Sequence, residues 1–527
     1  MRILVFHGYL LEGTGSNVYN ARLAQALAEL GHDVHLLSQD RHPAEQPFVD
    51  AVGEWREGRL HVRDLGRRRP PGRGRCSVYR PDIGDLLPVY VADRYEGTEA
   101  RTFLQTSDAE IDAYVRANVA ATRDVCDLAT PQVALANHLV MAPAILARAL
   151  QGEVPYAVKI HGSALEYTVK AAPQRFLGYA REGLAQARAI LVGSRHTAES
   201  LWQALADAPD LPARTRLGPP GVDVALFAPR EPAQAAAGVR ELQLGLQRAP
   251  RAQANGDSAF ARDPRAAAQA LAHVAPGSDR LVAFVGKLIV NKGVDLLLAA
   301  WPLVLARVPH ARLVVVGFGA YRTALERLTL ALSAGDLEAA REIADAGRAL
   351  ESGAQAPPAP LRYLRAFLDG LAGEARERYA AASRALPDRV LFTGRLEHDE
   401  LALLLPACEA LVVPSTFPES FGMVAAEAAA CAALPVSAAH SGLAEVSSVL
   451  ARAVPREAAP WLAFALDDRA VQAIAERVVA WLGASQAVRE AARDGLVGAV
   501  REHWSWQGVA RGVIAAAEGR LDELQQP

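Results

Sequence analysis

Two glutamates stand eight positions apart in "TFPESFGMVAAEAAA" (416–430), Glu419 and Glu427, around a Phe-Gly pair. Ionised carboxylates only accept hydrogen bonds, so they suit ligands rich in hydroxyl groups. Gly422 between them lets a ligand come close to the backbone. Two lysines stand five positions apart in "FVGKLIVNKGVDLLL" (284–298), Lys287 and Lys292. The whole chain has four lysines, the others being Lys159 and Lys170, among 56 basic residues. Ammonium groups beside a helix N-terminus favour anions, and a pair of them fits a diphosphate. Taken alone, each pair has an ordinary explanation. Loop lysines are usually solvated, Glu419 could be a helix-cap acid and Glu427 a surface charge. Spacing alone cannot make the two acids a hydrolytic acid–base pair.

The elements that must carry these residues are strand, turn and helix. "RLVAFVG" reads as a strand that turns at Gly286 and enters a helix near Val294. "ALVVPS" reads as a strand, followed by a loop with Glu419 and a helix from about Phe421. That places Glu419 beside the N–H groups of Phe421, Gly422 and Met423, and Glu427 about two turns into the helix. A loop at the carboxyl end of a parallel strand is where such folds bind ligands. The same alternation recurs along the chain, as "RILVFHG", "DVHLLSQ", "VALANH", "YAVKIHG" and "AILVGS" and then "ARLVVVG", "RVLFTG" and "LPVSAA". Short β-branched runs followed by helical patterns predict parallel sheets covered on both faces, in two doubly wound domains. "HGYLLEGTGSNVYN" has Gly13 and Gly15 but Val18, so the dinucleotide fingerprint is incomplete.

The bulk numbers agree. A chain of 527 residues exceeds one ordinary core. Hydrophobic residues make up 51%, charged residues 22%, and net charge is -3, which predicts a globular protein and no nucleic-acid partner. Cys76, Cys126, Cys408 and Cys431 are scattered, which predicts reduced thiols and a cytoplasmic setting. No signal peptide or bilayer-spanning run is expected. The expected organisation is a first domain over 1–228, an Ala/Pro-rich linker or insertion over 229–279 and a second domain over 280–502. A helical hairpin is expected as an insertion at 329–387, with a C-terminal helix over 503–527. The basic loop 63–75 reads as solvated, with a peripheral membrane contact as the alternative.

Together the motifs resemble retaining glycosyltransferases of family 4. The pieces occur in that family's order: "GTGSNVY", "KIHGS", "VGSRHTAESL", "GPPGVDVALF", "VGKLIVNKGVDLLL", "VVVGFGAYRTALERL", "FTGRLEHDEL" and "VVPSTFPESFGMVAAEA". The resemblance implies the GT-B fold: two Rossmann-like domains facing a cleft, the first for the acceptor and the second for a nucleotide-sugar donor. It implies that Lys287 and Lys292 bind the donor diphosphate and Glu427 the donor ribose. Glu419 would contact the transferred sugar, with Phe421, Gly422 and Met423 beside it, and His161 would sit near the reacting sugar. Gly15 and Gly286 would belong to loops at the donor phosphates, with Arg395 and Leu396 near the base. The C-terminal helix would pack back on the first domain. The reaction implied is transfer of a hexose from a UDP- or GDP-linked donor to a glycan, lipid-linked or small-molecule hydroxyl, with retention, without metal or other cofactor.

Four features depart from the family pattern. Lys287 stands where arginine is usual, Ala432 where glycine is common in a stretch one residue longer than the usual form, Ser441 replaces the first of two glycines, and the 329–387 insertion sits in the donor domain. Competing readings are a GT-B sugar-phosphate synthase or phosphorylase and a catalytically weak sugar-nucleotide-binding partner. A Rossmann oxidoreductase is disfavoured by the incomplete glycine fingerprint.

Overall fold

The computed structural model describes residues 1–91, 99–249, 262–352 and 359–527. They form two compact units, Met1–Gly221 with Trp504–Pro527, and Val222–His503.

The first unit contains β1 (Arg2–Phe6), β2 (Asp33–Leu37), β3 (Ala51–Arg56), β4 (Arg59–Asp64), β5 (Cys76–Arg80), β6 (Leu86–Val89), β7 (Glu99–Thr102), β8 (Val133–Asn137), β9 (Tyr156–Ile160), β10 (Ala189–Val192) and β11 (Thr215–Leu217). Nine of them form one sheet in the order β11-β10-β9-β8-β1-β2-β5-β3-β4, with β6 and β7 paired separately. All neighbours in the large sheet are parallel except β3 and β4, which form an antiparallel hairpin at the edge. Alternate residues of β1 feed opposite faces: Leu4 and Phe6 join one apolar cluster, Ile3 and Val5 the other. Helices must cover both faces, which is why these strands read as unbroken apolar runs. One cover is the helix Trp506–Glu518, which places Trp506, Ala510, Val513 and Ile514 in the second cluster. The tail beyond it runs along β11, where Leu217 N–H donates to Gln525 O (2.7 Å) and Arg216 Nε to Leu521 O (2.9 Å).

The second unit contains β12 (Arg280–Val285), β13 (Ala311–Val316), β14 (Val390–Gly394), β15 (Cys408–Val413), β16 (Leu434–Ala438) and β17 (Ala463–Phe464), all parallel, in the order β14-β13-β12-β15-β16-β17. The helix Val294–Leu305, "VDLLLAAWPLVL", is buried on every side. A helix apolar all round needs cover beyond its own sheet. Here Tyr379, on the helix Gly373–Ser383, donates its hydroxyl to Ala299 O (2.9 Å).

Two expectations on organisation need correction and one is made more definite. The stretch 229–279, expected as a linker or insertion with some helix, forms in its described part the helices Pro232–Arg248 and Pro264–Leu271 inside the second unit. Ala235, Val239, Leu242 and Leu246 are buried and recur at helical spacing, a stripe that the Ala/Pro-rich composition obscured. The unit boundary accordingly falls after Gly221, not at 228. The insertion is more than a hairpin, with helices Leu337–Ala346, Ala349–Ser352, Arg362–Asp369, Gly373–Ser383 and Leu386–Arg389. Part of the Pro/Gly-rich break expected there, 353–358, lies outside the described residues, as does 250–261 of the linker.

Candidate functional site

In both sheets the chain order reverses beside the first strand of the unit, between β1 and β8 and between β12 and β15. Ligands of open α/β sheets bind at such points.

In the second unit, β12 ends in a loop that stays tied to its neighbours. Gly286 N–H donates to Val316 O (3.1 Å) and Leu288 N–H to Phe318 O (2.7 Å). One 3-10 turn, Val290–Lys292, follows and ends at Gly293, whose φ is +63°. A Cβ at Gly293 would lie 2.0 Å from Pro414 O, so only glycine lets the two loops meet. Thr416 N–H donates to Asn291 O (2.9 Å) and joins them further.

Across this junction the Lys292 ammonium donates to the Glu419 carboxylate. Ser415 Oγ donates to the same oxygen (2.6 Å). Burial raises the Glu419 carboxyl, but the charge and hydrogen bond of Lys292 and the bond from Ser415 outweigh it, leaving the group below its ordinary value. The Glu419 backbone is also held. Its N–H donates to Ser441 Oγ (2.9 Å), which lies 3.0 Å from His440 Nδ1. His440 Nε2 lies 2.7 Å from Ser415 O. One tautomer satisfies the set: Nε2–H donates to Ser415, and Nδ1 accepts from Ser441.

The helix carrying Glu427 is Met423–Ala430, so it starts two residues later than expected and Glu427 lies little more than one turn in. Gly422 caps it at φ +119°, where a Cβ would meet Leu443 at 2.6 Å. Glu427 is no surface charge: it is 4% exposed and receives His398 Nε2 at 3.0 Å. Phe227 stands edge-on to His398, with ring centroids 5.5 Å apart. Arg395 and Leu396 lie just before the helix His398–Leu404, Leu396 buried and Arg395 paired with Glu397 (3.0 Å).

The first unit's switch point is of another kind. His7 and His138 are buried and the partly exposed His161 stands beside them, with ring centroids 6.0 Å apart for the first two and 4.8 Å for the last two. His7 Nε2 donates to Leu10 O (2.9 Å) and Asn17 Oδ1 (3.0 Å), and its Nδ1 accepts from Asn20 Nδ2 (3.0 Å). His161 Nε2 bonds Asn137 Oδ1 (2.8 Å), and Tyr19 packs edge-on against its ring. Asn17, Tyr19 and Asn20 come from the helix that begins at Gly15, which is exposed. Burial pushes His7 down to about 4 and His138 well below the ordinary value. His161 falls likewise, through burial and then the fields of His138, Lys159 and His7. Lys159 Nζ donates to Gly218 O (2.5 Å), and burial lowers it to about 7.

The structure thus brings Lys292 and Glu419 into direct contact, with Phe421, Gly422, Met423 and Glu427 following on the same loop and helix. Gly286 and Lys287 open the lysine loop. His161 and Gly15 belong to the first unit. The sequence reading missed His398, Ser415, His440 and Ser441, and in the first unit His7 and His138. The oddity of Ser441 in a glycine position was the signal for one: its φ is +49°. Of the basic loop, Arg67 bonds the carbonyls of Ala44, Gln46 and Val49, Arg73 bonds Asp50 and Phe48 O, and Arg75 bonds Asp64. Among the described residues no three His, Cys, Asp or Glu side chains group as metal ligands would, and no helix is long and apolar enough to cross a membrane.

Comparison with known proteins adds the family evidence. Residues 14–211 match the description "Glycosyl transferase 4-like domain", and residues 279–354 and 366–459 match "Glycosyl transferases group 1". The chain carries glycosyltransferase group 1 and 4-like domains. A curated relative, D-inositol 3-phosphate glycosyltransferase from Segniliparus rotundus, is 28% identical over 315 residues, 59% of this chain. The chain spans about half of that relative's length, 48%. Sucrose-phosphate synthase from Thermosynechococcus elongatus superposes with a TM-score of 0.57 at 19% identity, over 99% of each chain. Anabaena HepE, solved in complex with UDP and glucose, gives 0.54 at 14% identity, over 98% of this chain and 99% of that one. These likenesses fix the fold as GT-B.

Proposed function

We propose that the chain is a retaining, metal-independent glycosyltransferase of family 4 that moves a hexose from a nucleotide sugar to an acceptor hydroxyl. The observation that carries this reading is the Lys292–Glu419 pair held across the two loops of the second switch point, with buried Glu427 behind it. Lys287 and Lys292 receive the donor diphosphate. Glu427, steadied by His398, accepts hydrogen bonds from the ribose. Glu419 accepts from the transferred sugar. As the bond to the sugar breaks, charge grows on the leaving diphosphate, and fixed ammonium groups stabilise it without rearranging. His161, kept neutral by burial, offers an uncharged hydrogen-bonding ring for a sugar hydroxyl.

UDP is the first donor nucleotide to test, because HepE is described with UDP and glucose. GDP follows. The name of the inositol 3-phosphate relative supports a second reading, a small phosphorylated acceptor. We place the protein in the cytoplasm. The reading does not extend to a peripheral membrane contact, because Arg67, Arg73 and Arg75 of the basic loop are engaged within the chain.

The test is a thermal-shift panel of UDP, GDP, ADP, their sugar conjugates and NAD, with EDTA and then with magnesium. A ligand that binds only the folded state raises Tm. One nucleoside diphosphate should stabilise the protein in EDTA, and Lys292→Ala should lose most of the shift. Stabilisation by NAD alone, or by none of them, would overturn the reading. A shift that requires magnesium would overturn its metal-independent part.

A further inference from the structure

The insertion at 329–387 covers the buried helix Val294–Leu305, but two of its side chains reach past that task. Glu351, on the short helix Ala349–Ser352, accepts the backbone N–H of Val290. Arg348 donates to Asn291 Oδ1 and lies 3.5 Å from Glu351. Val290 and Asn291 are the two residues that precede Lys292 in its 3-10 turn.

We propose that the insertion is a built-in brace for the lysine loop, with Glu351 and Arg348 as positioning residues that hold Lys292 where the donor diphosphate binds. This rests on the reading of Lys292 given above.

The loop needs outside support. A three-residue 3-10 turn supplies few hydrogen bonds of its own. Asn291 is gripped from two directions, its carbonyl by Thr416 N–H and its side chain by Arg348. Glu351 takes the neighbouring amide. Its side chain is only 12% exposed, and a carboxylate that dry needs donors. Val290 N–H and nearby Arg348 supply them. Glu351 leaves the Lys292 ammonium to Glu419, so it fixes the main chain without neutralising the cation.

The brace is itself anchored. Gly347, at φ +49°, brings its segment so close to Ala359 that a Cβ would lie 1.9 Å from that carbonyl. Leu361 N–H donates to Ala344 O (2.8 Å) on the neighbouring helix. Phe367 and Tyr379 pack edge-to-face at 5.3 Å, and Tyr379 bonds Ala299 O. Asp295 lies buried close by, raised to about 7 by burial first and by Glu351 among the smaller causes. Near neutral pH it therefore adds less than a full second negative charge beside the loop. An insertion that merely covered apolar surface would need neither Glu351 nor Arg348.

The experiment combines hydrogen exchange of peptides spanning 286–294 with calorimetric titration of UDP, GDP and ADP. It uses the full chain as wild type, Glu351→Ala, Glu351→Gln, Arg348→Ala and Lys292→Ala with and without Glu351→Ala. Glu351→Ala should speed exchange at Val290 and weaken the bound nucleotide about five- to tenfold, the worth of one such hydrogen bond. Glu351→Gln keeps an acceptor oxygen and should stay near wild type. Combined with Lys292→Ala, Glu351→Ala should weaken binding no further, since its effect passes through that lysine. Unchanged exchange in folded Glu351→Ala would overturn the brace. Faster exchange with unchanged affinity would overturn its positioning role. If Glu351→Ala does not fold, Arg348→Ala, at an outer position, decides both points in the same way through Asn291. If the wild type binds none of the three nucleotides, the donor reading falls, and the exchange result alone decides whether the brace exists.

Discussion

The two switch points share a strand order and differ in almost everything else. Between β1 and β8 sit three histidines, two buried and His161 partly exposed, whose charge is suppressed, amid asparagines and tyrosines. Between β12 and β15 sit a lysine and a glutamate that pair, the carboxyl held below its ordinary value, on loops tied to each other and to an insertion. The sheet decides where a ligand can come. The choice between dry neutral rings and paired charges decides what it can be. A neutral polar crevice suits hydroxyl groups, and a lysine loop suits phosphate.

The hardest blow to this contrast should come from Lys292→Ala. We expect kcat/KM to fall by about 10²–10³ with the fold intact, the usual loss for one preorganised charge contact. Wild-type kinetics would remove the second switch point as the phosphate site. His161→Ala should lower kcat roughly tenfold to a hundredfold, the range for a polar contact to the reacting sugar. UDP affinity should stay within twofold of wild type (about 0.4 kcal/mol). A large loss of UDP affinity would mean the two crevices do not divide the work as proposed.

Acidity should also separate them, in opposite directions. His7 has its folded value at about 4, below the ordinary 6.5. Between those values the unfolded chain binds a proton that the folded chain refuses, so the first unit loses stability as pH falls. Asp295 has its folded value at about 7, above the ordinary 3.8. Over that span the folded chain keeps a proton that the unfolded chain has released, so the second unit loses stability as pH rises. Each effect is on the order of a few kcal/mol. Hydrogen exchange of β1 and β12 at pH 5 and pH 8 measures both. Parallel trends would break the comparison, and Asp295→Asn should flatten the second trend alone.

The mildest test concerns Ser441. Glycine suits φ +49° better, so Ser441→Gly should fold at least as well. It loses the oxygen that holds the Glu419 backbone and faces His440. Donor KM should rise a few-fold, the scale of one neutral hydrogen bond. An unchanged KM would make that serine a bystander.

These contrasts were unevenly legible in the sequence. Strand–helix alternation announced both sheets, because buried parallel strands leave apolar runs bounded by turn residues. The Lys292–Glu419 pairing was visible as two motifs, not as a bond. The helix at Met423 was placed two residues early because the left-handed Gly422 delays it. His398, His440 and Glu351 stayed hidden for a simpler reason. Their partners lie 29, 25 and 61 positions away, and no local periodicity marks a contact across such distances.

The nine-stranded sheet has two outer strands, and each invites another chain to pair with it. On one side β4 presents Arg59, His61, Arg63 and Asp64, all exposed and most of them charged. On the other, the segment 520–527 lies along β11 and takes the amide of Leu217. The segment therefore covers part of that edge, and a variant shortened before Gly519 is expected to leave β11 open to strand addition by its neighbours in a concentrated solution.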